Sequence, residues 1–350
     1  MPRRPLALNE FQLIDRIRAA AGRIPPEVTV GIGDDAAVVR HTGRGDWVFT
    51  TDLLAEGIHF ALDTTSFADL GFKAGAANLS DLAAMGSRPR YLLVNLALPA
   101  TLDRRHVLAL YRGLSEVSRP YGVAVIGGDT SASVSGLFLA ITAIGRTTGK
   151  PAIRRKGARV GDLLFVSGTI GDSLAGLRLL QQPPPSPPPP TGLSRAEHRH
   201  LLARHRRPTP RIELGLALAR RGLASAMLDL SDGLSADLPH LCEQSGVGAV
   251  VDAARLPLSR ALQAFSRTTG QSPIDLALQG GEDYELLFTT RPAHRQAVAA
   301  VSRHLGLVLT EVGRILPKRA GRRLRQLDGT ETPMPMTGYR HFQSRSDGRR

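Results

Sequence analysis

Cysteine is almost missing from this chain: Cys242 is the single one in 350 residues. One thiol excludes an internal disulfide and a cysteine-built metal cage. It falls in an apolar stretch, 233–245, that reads as a helix, so buried packing is expected of it. Lysine is scarce too, with Lys73, Lys150, Lys156 and Lys318 the only ones among 45 basic residues. The glycine-rich string Gly31 to Val39, GIGDDAAVV, contains none of them. It is therefore not a lysine-bearing phosphate loop, and it lacks the glycine spacing of a dinucleotide fingerprint. Aromatic residues make up 5% of the chain, with one Trp, so its cores must be built from aliphatic side chains. No apolar run approaches the roughly 20 residues of a membrane helix. The opening MPRRPLALNEFQLIDRI meets Glu10 and Asp15 soon after its arginines, unlike a secretory signal. A cytoplasmic protein that engages no membrane is expected.

The formal charge is +14, which raises the question of nucleic acid. The excess sits at the periphery. Residues 195–211 carry six arginines against one glutamate, and 318–350 carry nine basic against three acidic residues. We read these as solvated segments and expect no nucleic-acid partner.

What the chain does have is aspartate in small-residue strings: GIGDDAAVV, FTTDLLAEGIHF (49–60), NLSDLAAMG (78–86), IGGDTSAS (126–133) and LDLSDGLSADL (228–238). Most follow apolar, strand-like runs, so each carboxylate is expected where a strand ends and the chain turns. Gathered carboxylates repel one another and cost several kcal/mol to bury unpaired, which calls for a cation. Oxygen ligands without thiols favour Mg²⁺. Mg²⁺ beside Gly/Ser/Thr loops points to phosphate chemistry. In Gly127-Gly128-Asp129-Thr130 the glycines would let backbone approach a phosphate while Asp129 holds metal. His59, at the end of an acidic string, and Lys73 have ordinary surface roles as their alternatives, and Lys73 is left outside the site.

Periodicity predicts helices at 6–21, from a Ser66 cap to Met85, at 103–119, after strand 163–167 to about Leu180, and at 209–221, 233–245 and 292–305. Strands are expected at 28–32, 36–40, 46–51, 91–98, 122–126, 137–145, 163–167, 226–230, 248–252, 284–290 and 307–312. Alternation of this kind gives an α/β (α+β) class. Two domains are expected at this length, 1–150 and 151–342, with a proline-rich loop insert at 183–192 and a basic tail at 343–350. Pro183 to Pro190 should be extended polyproline II, and the chain beyond Leu324 should be loose as far as Gly338.

Taken in order, NLSDLAAMG, GGDT, LDLSDGLSADL, GGEDYELLF (280–288) and GYRHF (338–342) resemble the thiamine-monophosphate kinases. These belong to the ATP-binding superfamily of aminoimidazole-ribonucleotide synthetase and selenophosphate synthetase. The resemblance covers about Phe11 to Phe342. Selenophosphate synthetases carry an N-terminal Cys or selenocysteine with a lysine, and hydrogenase-maturation relatives end in a functional cysteine; this chain has neither. The resemblance implies a two-domain aminoimidazole-ribonucleotide synthetase-like fold whose N-terminal sheet closes a barrel across a homodimer. It implies that Asp35, Thr50, Thr51, Asp52, Asp81, Asp129, Asp229 and Asp232 hold several Mg²⁺ ions, with Asp34 adjacent. Tyr111, Gly128, Asp129, Arg146 and Ser231 would contact ATP, and His59, Glu282 and Tyr339 the thiamine part. The implied reaction is phosphorylation of thiamine monophosphate to thiamine diphosphate in thiamine biosynthesis, with no protein nucleophile or base. The same fold with a different acceptor, as in aminoimidazole-ribonucleotide synthetase, is the alternative enzyme. The Asp-Asp pair and GGEDYELLF argue against it.

Overall fold

The computed structural model describes residues 10–22, 24–181, 192–335 and 337–338. The start of the first expected helix, the stretch Pro183 to Pro190, Tyr339 and the tail 343–350 lie outside the described residues. The first half runs α1 (Glu10–Ala20), β1 (Val28–Val30), β2 (Ala37–Val39), β3 (Trp47–Ala55), α2 (Phe67–Ala84), β4 (Arg88–Pro99), α3 (Arg104–Ser118), β5 (Ala124–Ser133) and β6 (Phe138–Arg146). The second continues β7 (Leu163–Ser167), α4 (Asp172–Leu180), α5 (Arg195–Arg206), α6 (Ile212–Arg221), β8 (Ala226–Asp229), α7 (Leu234–Ser245) and β9 (Val247–Asp252). It closes with α8 (Arg260–Thr269), α9 (Pro273–Gln279), β10 (Leu286–Thr290), α10 (Arg295–Leu305), β11 (Leu309–Pro317), β12 (Arg322–Arg325) and β13 (Glu331–Pro333).

These strands form two mixed sheets, ordered β1-β2-β3-β6-β4-β5 and β13-β12-β9-β11-β7-β10-β8. Pairing is antiparallel except between β4 and β5 and between β9 and β12. With helices packed on both sheets, the architecture is the expected α/β (α+β) class.

One helix organises the molecule. Ser66 caps α2, its hydroxyl accepting from the Asp69 amide at 3.1 Å. The small residues of α2 let neighbouring backbone come close: a Cβ on Gly71 would collide with the Leu110 carbonyl, and one on Gly113 of α3 with the Ala68 carbonyl. α2 touches α3, β3 and β6 on one side and α5, α6 and β8 on the other. A single apolar core therefore runs from Val48 and Ile141 of the first sheet through Leu70 and Leu79 to Met227 and Phe288 of the second.

The structure differs from the pattern read in sequence at four places. β3 continues to Ala55, so Asp52 is inside a strand, held in the ladder opposite Ile141. β5 runs through Gly-Gly-Asp-Thr to Ser133, so Asp129 is also inside a strand; pairing with β4 overrides the turn preference of Gly and Ser. Three helices lie where no element was expected: α5, α8 and α9. Ser194, Ser259 and Ser272 cap them. Beyond Leu324 the chain is not loose, because β13 pairs with β12.

Candidate active site

The end of β8 meets α2 and the loop before β2 at a cluster of carboxylates. Oxygens of Asp35, Asp81 and Asp229 all lie within 4.8 Å of one another. Asp229 ends β8, Asp81 occupies the last turn of α2, and Asp35 lies between β1 and β2. Thr50 Oγ1 lies 2.5 Å from Asp81 Oδ2 and 3.2 Å from the Asp35 carbonyl. Asp52 shares the Thr50 face of β3, two residues on.

Charge is concentrated here at a cost. Burial pushes the carboxyls of Asp35 up to about 7, and of Asp52 and Asp229 up to about 6. Asp81 is raised well above the usual range, by burial and then by Asp52, Asp229 and Asp35. Asp232 adds its repulsion to Asp229. One cation answers part of this: Arg155 donates to Asp35 Oδ1 from Nε at 2.9 Å and Nη2 at 2.5 Å. Asp35 Oδ2 and Asp229 Oδ2 remain buried with no hydrogen-bond partner among the described residues. Buried carboxylate oxygens left open in a converging group, with a threonine hydroxyl beside them, are a donor set that suits Mg²⁺.

A second group borders this cluster. Glu282 holds a left-handed backbone, φ 61°, as does Tyr284 at 52°. Lys73, almost fully buried on α2, reaches Glu282 Oε2 at 2.7 Å. His205 of α5 lies 3.5 Å from the same oxygen. Burial opposes the Glu282 charge, but Lys73, His205 and His59 outweigh it and hold the carboxyl below the usual glutamate range. Burial and then Lys73 push His205 down to about 4, against the pull of Glu282. The His59 ring accepts the Ala55 amide through Nδ1 at 3.0 Å. The Tyr284 phenol feels Glu282, Asp52, Asp229 and Asp81 together and is pushed well above its ordinary value, chiefly by burial. The phenol therefore links the two groups.

Not every expected residue comes to this place. Thr51 points from the opposite face of β3, its Oγ1 donating to the Ile141 carbonyl at 3.1 Å. Asp129 shares that outer face: Leu53 pairs with Ala140, Ala140 with Asn95, and Asn95 with Asp129. Three strand spacings, about 14 Å, separate β3 from β5. Gly128 is needed where it is because a Cβ would strike the Val94 carbonyl of β4, a reason other than approach to a phosphate. Arg146 ends β6 with its guanidinium 5.1 Å over the Trp47 ring and 2.9 Å from His41 Nδ1. Tyr111 is half-buried on α3 against the core. Ser231 follows β8, its carbonyl accepting from the Glu282 amide at 2.7 Å.

Sequence reasoning missed Arg155, Lys73, His205, Tyr284 and Asp237. Asp237 takes the amides of Asp232 at 3.1 Å and Gly233 at 3.0 Å, fixing the loop that carries Asp232. Its place in LDLSDGLSADL was the available signal. The arginine-rich segment 195–211, expected to be solvated, is partly internal. Arg204 lies 3.0 Å from the buried Glu285, Arg211 pairs with the same carboxylate, and Arg207 bonds Asp69 and Glu116 at 2.5 and 2.6 Å. Cys242 is buried as expected, its thiol pushed up to about 12 by burial.

The two sheets and the shared carboxylate cluster define the class. Residues 33–147 match the family model "AIR synthase related protein, N-terminal domain", and 159–324 its C-terminal counterpart. The thiamine-monophosphate kinase of Haemophilus influenzae is 39% identical over 314 residues, 89% of this chain and 91% of that protein. A solved structure of AaThiL complexed with AMPPCP and TMP superposes with a TM-score of 0.81 at 34% identity, covering 97% of this chain and all of that one. The Stenotrophomonas maltophilia thiamine-monophosphate kinase gives 0.73 at 41% identity, covering 93% and 98%. The chain belongs to the thiamine-monophosphate kinase family. Among the described residues no helix is long and apolar enough to cross a membrane.

Proposed function

We propose that this protein transfers the γ-phosphoryl group of ATP to the phosphate of thiamine monophosphate, giving ADP and thiamine diphosphate. The observation that carries this reading is the Asp35–Asp81–Asp229 cluster, with its open buried oxygens, set beside the Lys73–Glu282 pair. Its chemistry needs no protein base. The acceptor phosphate has its second pKa near 6 and is already an anion at neutral pH. An acceptor oxygen attacks the γ-phosphorus as the bond to the β–γ bridging oxygen breaks, and ADP leaves. The difficulty is bringing two anions together, so positioning and charge neutralisation carry the rate.

Asp35, Thr50, Asp52, Asp81, Asp229 and Asp232 are proposed as Mg²⁺ ligands on the inner face, and Thr51 and Asp129 on the outer face. Bound there, Mg²⁺ supplies neutralisation of the transferring phosphate charge. Glu282, kept anionic by Lys73, is a counter-charge for the cationic thiazolium, and His59 and Tyr339 are the other proposed thiamine contacts. Tyr111, Gly128, Asp129, Arg146 and Ser231 are the proposed ATP contacts. Arg146 lies about 20 Å along the strands from Asp129 at about 3.4 Å per residue, so one chain does not complete this set. A homodimer accounts for that. The outer face of the first sheet exposes Leu53 at 56%, and its edge strand β5 exposes Val125 and Ile126 at 40 and 55%, apolar surface that a second copy would cover. Residues 1–150 and 151–342 are the proposed domains, and ATP as donor fits a cytoplasmic enzyme.

Incubation with ATP, Mg²⁺ and thiamine monophosphate should yield thiamine diphosphate by chromatography, and EDTA should abolish it. Asp52→Asn and Asp129→Asn should each lose most turnover while staying folded. No product at saturating substrate would overturn the reading. Labelling with γ-phosphate-labelled ATP alone should leave the denatured protein unlabelled; stoichiometric label that chases into product would instead mean a phosphoenzyme.

A further inference from the structure

At the other end of the second sheet from the carboxylate cluster lies a cavity of about 430 Å³. Its walls are the segment joining the two sheets, the end of α6, the residues entering β8, and the turn after β10. β8 separates it from the proposed active site: Ser225 lies at the cavity and Asp229 at the cluster, about 13 Å apart at strand rise. Lys150, Arg154, Lys156, Arg159 and Arg291 surround it, all exposed, and no acidic residue lines it. Two of the chain's four lysines are among them.

Arg204 is answered by Glu285, and Arg207 by Asp69 and Glu116. By contrast, none of the five cavity side chains makes a hydrogen bond or ion pair with a described residue. Asp162, behind Ser225, is buried and occupied by the Ser225 hydroxyl at 2.6 Å and the Arg159 amide at 3.0 Å. His294 adds a buried Nδ1 with no partner. It ends a short 3-10 turn, Pro292–His294, that runs into α10. Arg154 also feels the Asp34 charge; like charges gathered in one place repel, more strongly as salt falls.

We infer that this cavity binds a small anion bearing two or more linked phosphate groups. Arginine forks grip phosphate oxygens in pairs and lysines add point charge. The volume falls in the range of small-ligand pockets, about 300–1,000 Å³, and buried Leu218 and Leu223 give it an apolar floor. Inorganic tripolyphosphate and a nucleoside diphosphate share the recognised chemistry.

The test is calorimetric titration of the full-length protein in EDTA and low salt, where the metal-free carboxylate cluster repels anions. Tripolyphosphate should bind at one site per chain and weaken as salt rises. The double variant Lys156→Ala/Arg291→Ala should weaken it at least tenfold, with melting unchanged. Should that variant fold poorly, Lys150→Ala/Arg154→Ala replaces it. ADP binding more tightly than tripolyphosphate, and losing that binding in the variant, would identify a nucleotide as the source; the reverse order would identify an inorganic chain. Absence of tripolyphosphate binding, binding untouched by the variants, or retention of only a single-stranded oligonucleotide would each overturn the inference. Because binding and not turnover is read, the outcome is independent of the proposed kinase activity.

Discussion

Arg155→Ala is the sharpest test of the electrostatic reading of the carboxylate cluster. Removing one partner of a buried ion pair ordinarily costs about 3–5 kcal/mol, because the other charge is left uncompensated. Asp35 is fully buried at its side chain and Arg155 only 23% exposed, so that figure would be the first expectation. The Asp35 carboxyl, however, already stands at about 7. A proton can therefore replace the guanidinium at little cost below neutrality. Above pH 7 the wild-type carboxyl ionises against Arg155 while the variant must stay protonated. The penalty then grows by about 1.4 kcal/mol per pH unit. The variant should lose less than about 1 kcal/mol at pH 6 and about 2 kcal/mol at pH 8.5. Denaturant midpoints of both proteins in EDTA at the two pH values measure it. Adding Mg²⁺ at pH 8.5 should narrow the gap, since a second cation then serves the same oxygen. A gap equal at both pH values, or larger at pH 6, would refute the argument.

Three further outcomes are expected. In EDTA the wild-type protein should lose stability as pH rises from about 4 to 7, because folded-state pKa values raised to about 6 or 7 in Asp35, Asp52 and Asp229 make the fold bind more protons than the unfolded chain. His205 and His240, lowered to about 4, oppose this over pH 4–6.5 but are outnumbered; Mg²⁺ should flatten the slope, and midpoints across the range check it. Lys73→Met should raise KM for thiamine monophosphate about tenfold, a loss of roughly 1.4 kcal/mol, while KM for ATP stays unchanged; equal changes in both would disprove the assignment of Glu282 to the thiamine side. Gly113→Ala should destabilise by about 1–3 kcal/mol by prising α3 from α2, read as a lower melting temperature with Mg²⁺ affinity retained.

What could be read from sequence was local. Asp35, Asp81 and Asp229 announced themselves because each sits in its own small-residue string. The Ser66 cap and the expected end at Met85 bounded α2 within a residue. Their companions could not be read in this way. Lys73 meets Glu282 across 209 positions and Arg155 meets Asp35 across 120, and neither partner marks the other locally. The same distance explains Arg204, Arg207 and Arg211, which looked solvated because the acids that answer them, Asp69, Glu116 and Glu285, come from other elements. β5 failed for a different reason: Gly127, Gly128, Ser131 and Ser133 favour turns locally, and only pairing with β4 makes them a strand.

Helix α2 carries Lys73 toward Glu282 and Asp81 toward the carboxylate cluster. Eight residues separate them, about 12 Å along a rigid axis at 1.5 Å per residue. In the proposed reaction the helix thus acts as a measuring stick between the place assigned to the organic end of the acceptor and the place assigned to its phosphate. Gly71 and Gly113 lock the stick against α3, so its length cannot adjust to the guest. A molecule that is too short reaches one end and not the other. Inserting a single residue between the two marks would swing Asp81 about 100° around the axis, away from Asp35 and Asp229. New acceptors would therefore have to be accommodated by the loops at either end and not by the helix between them.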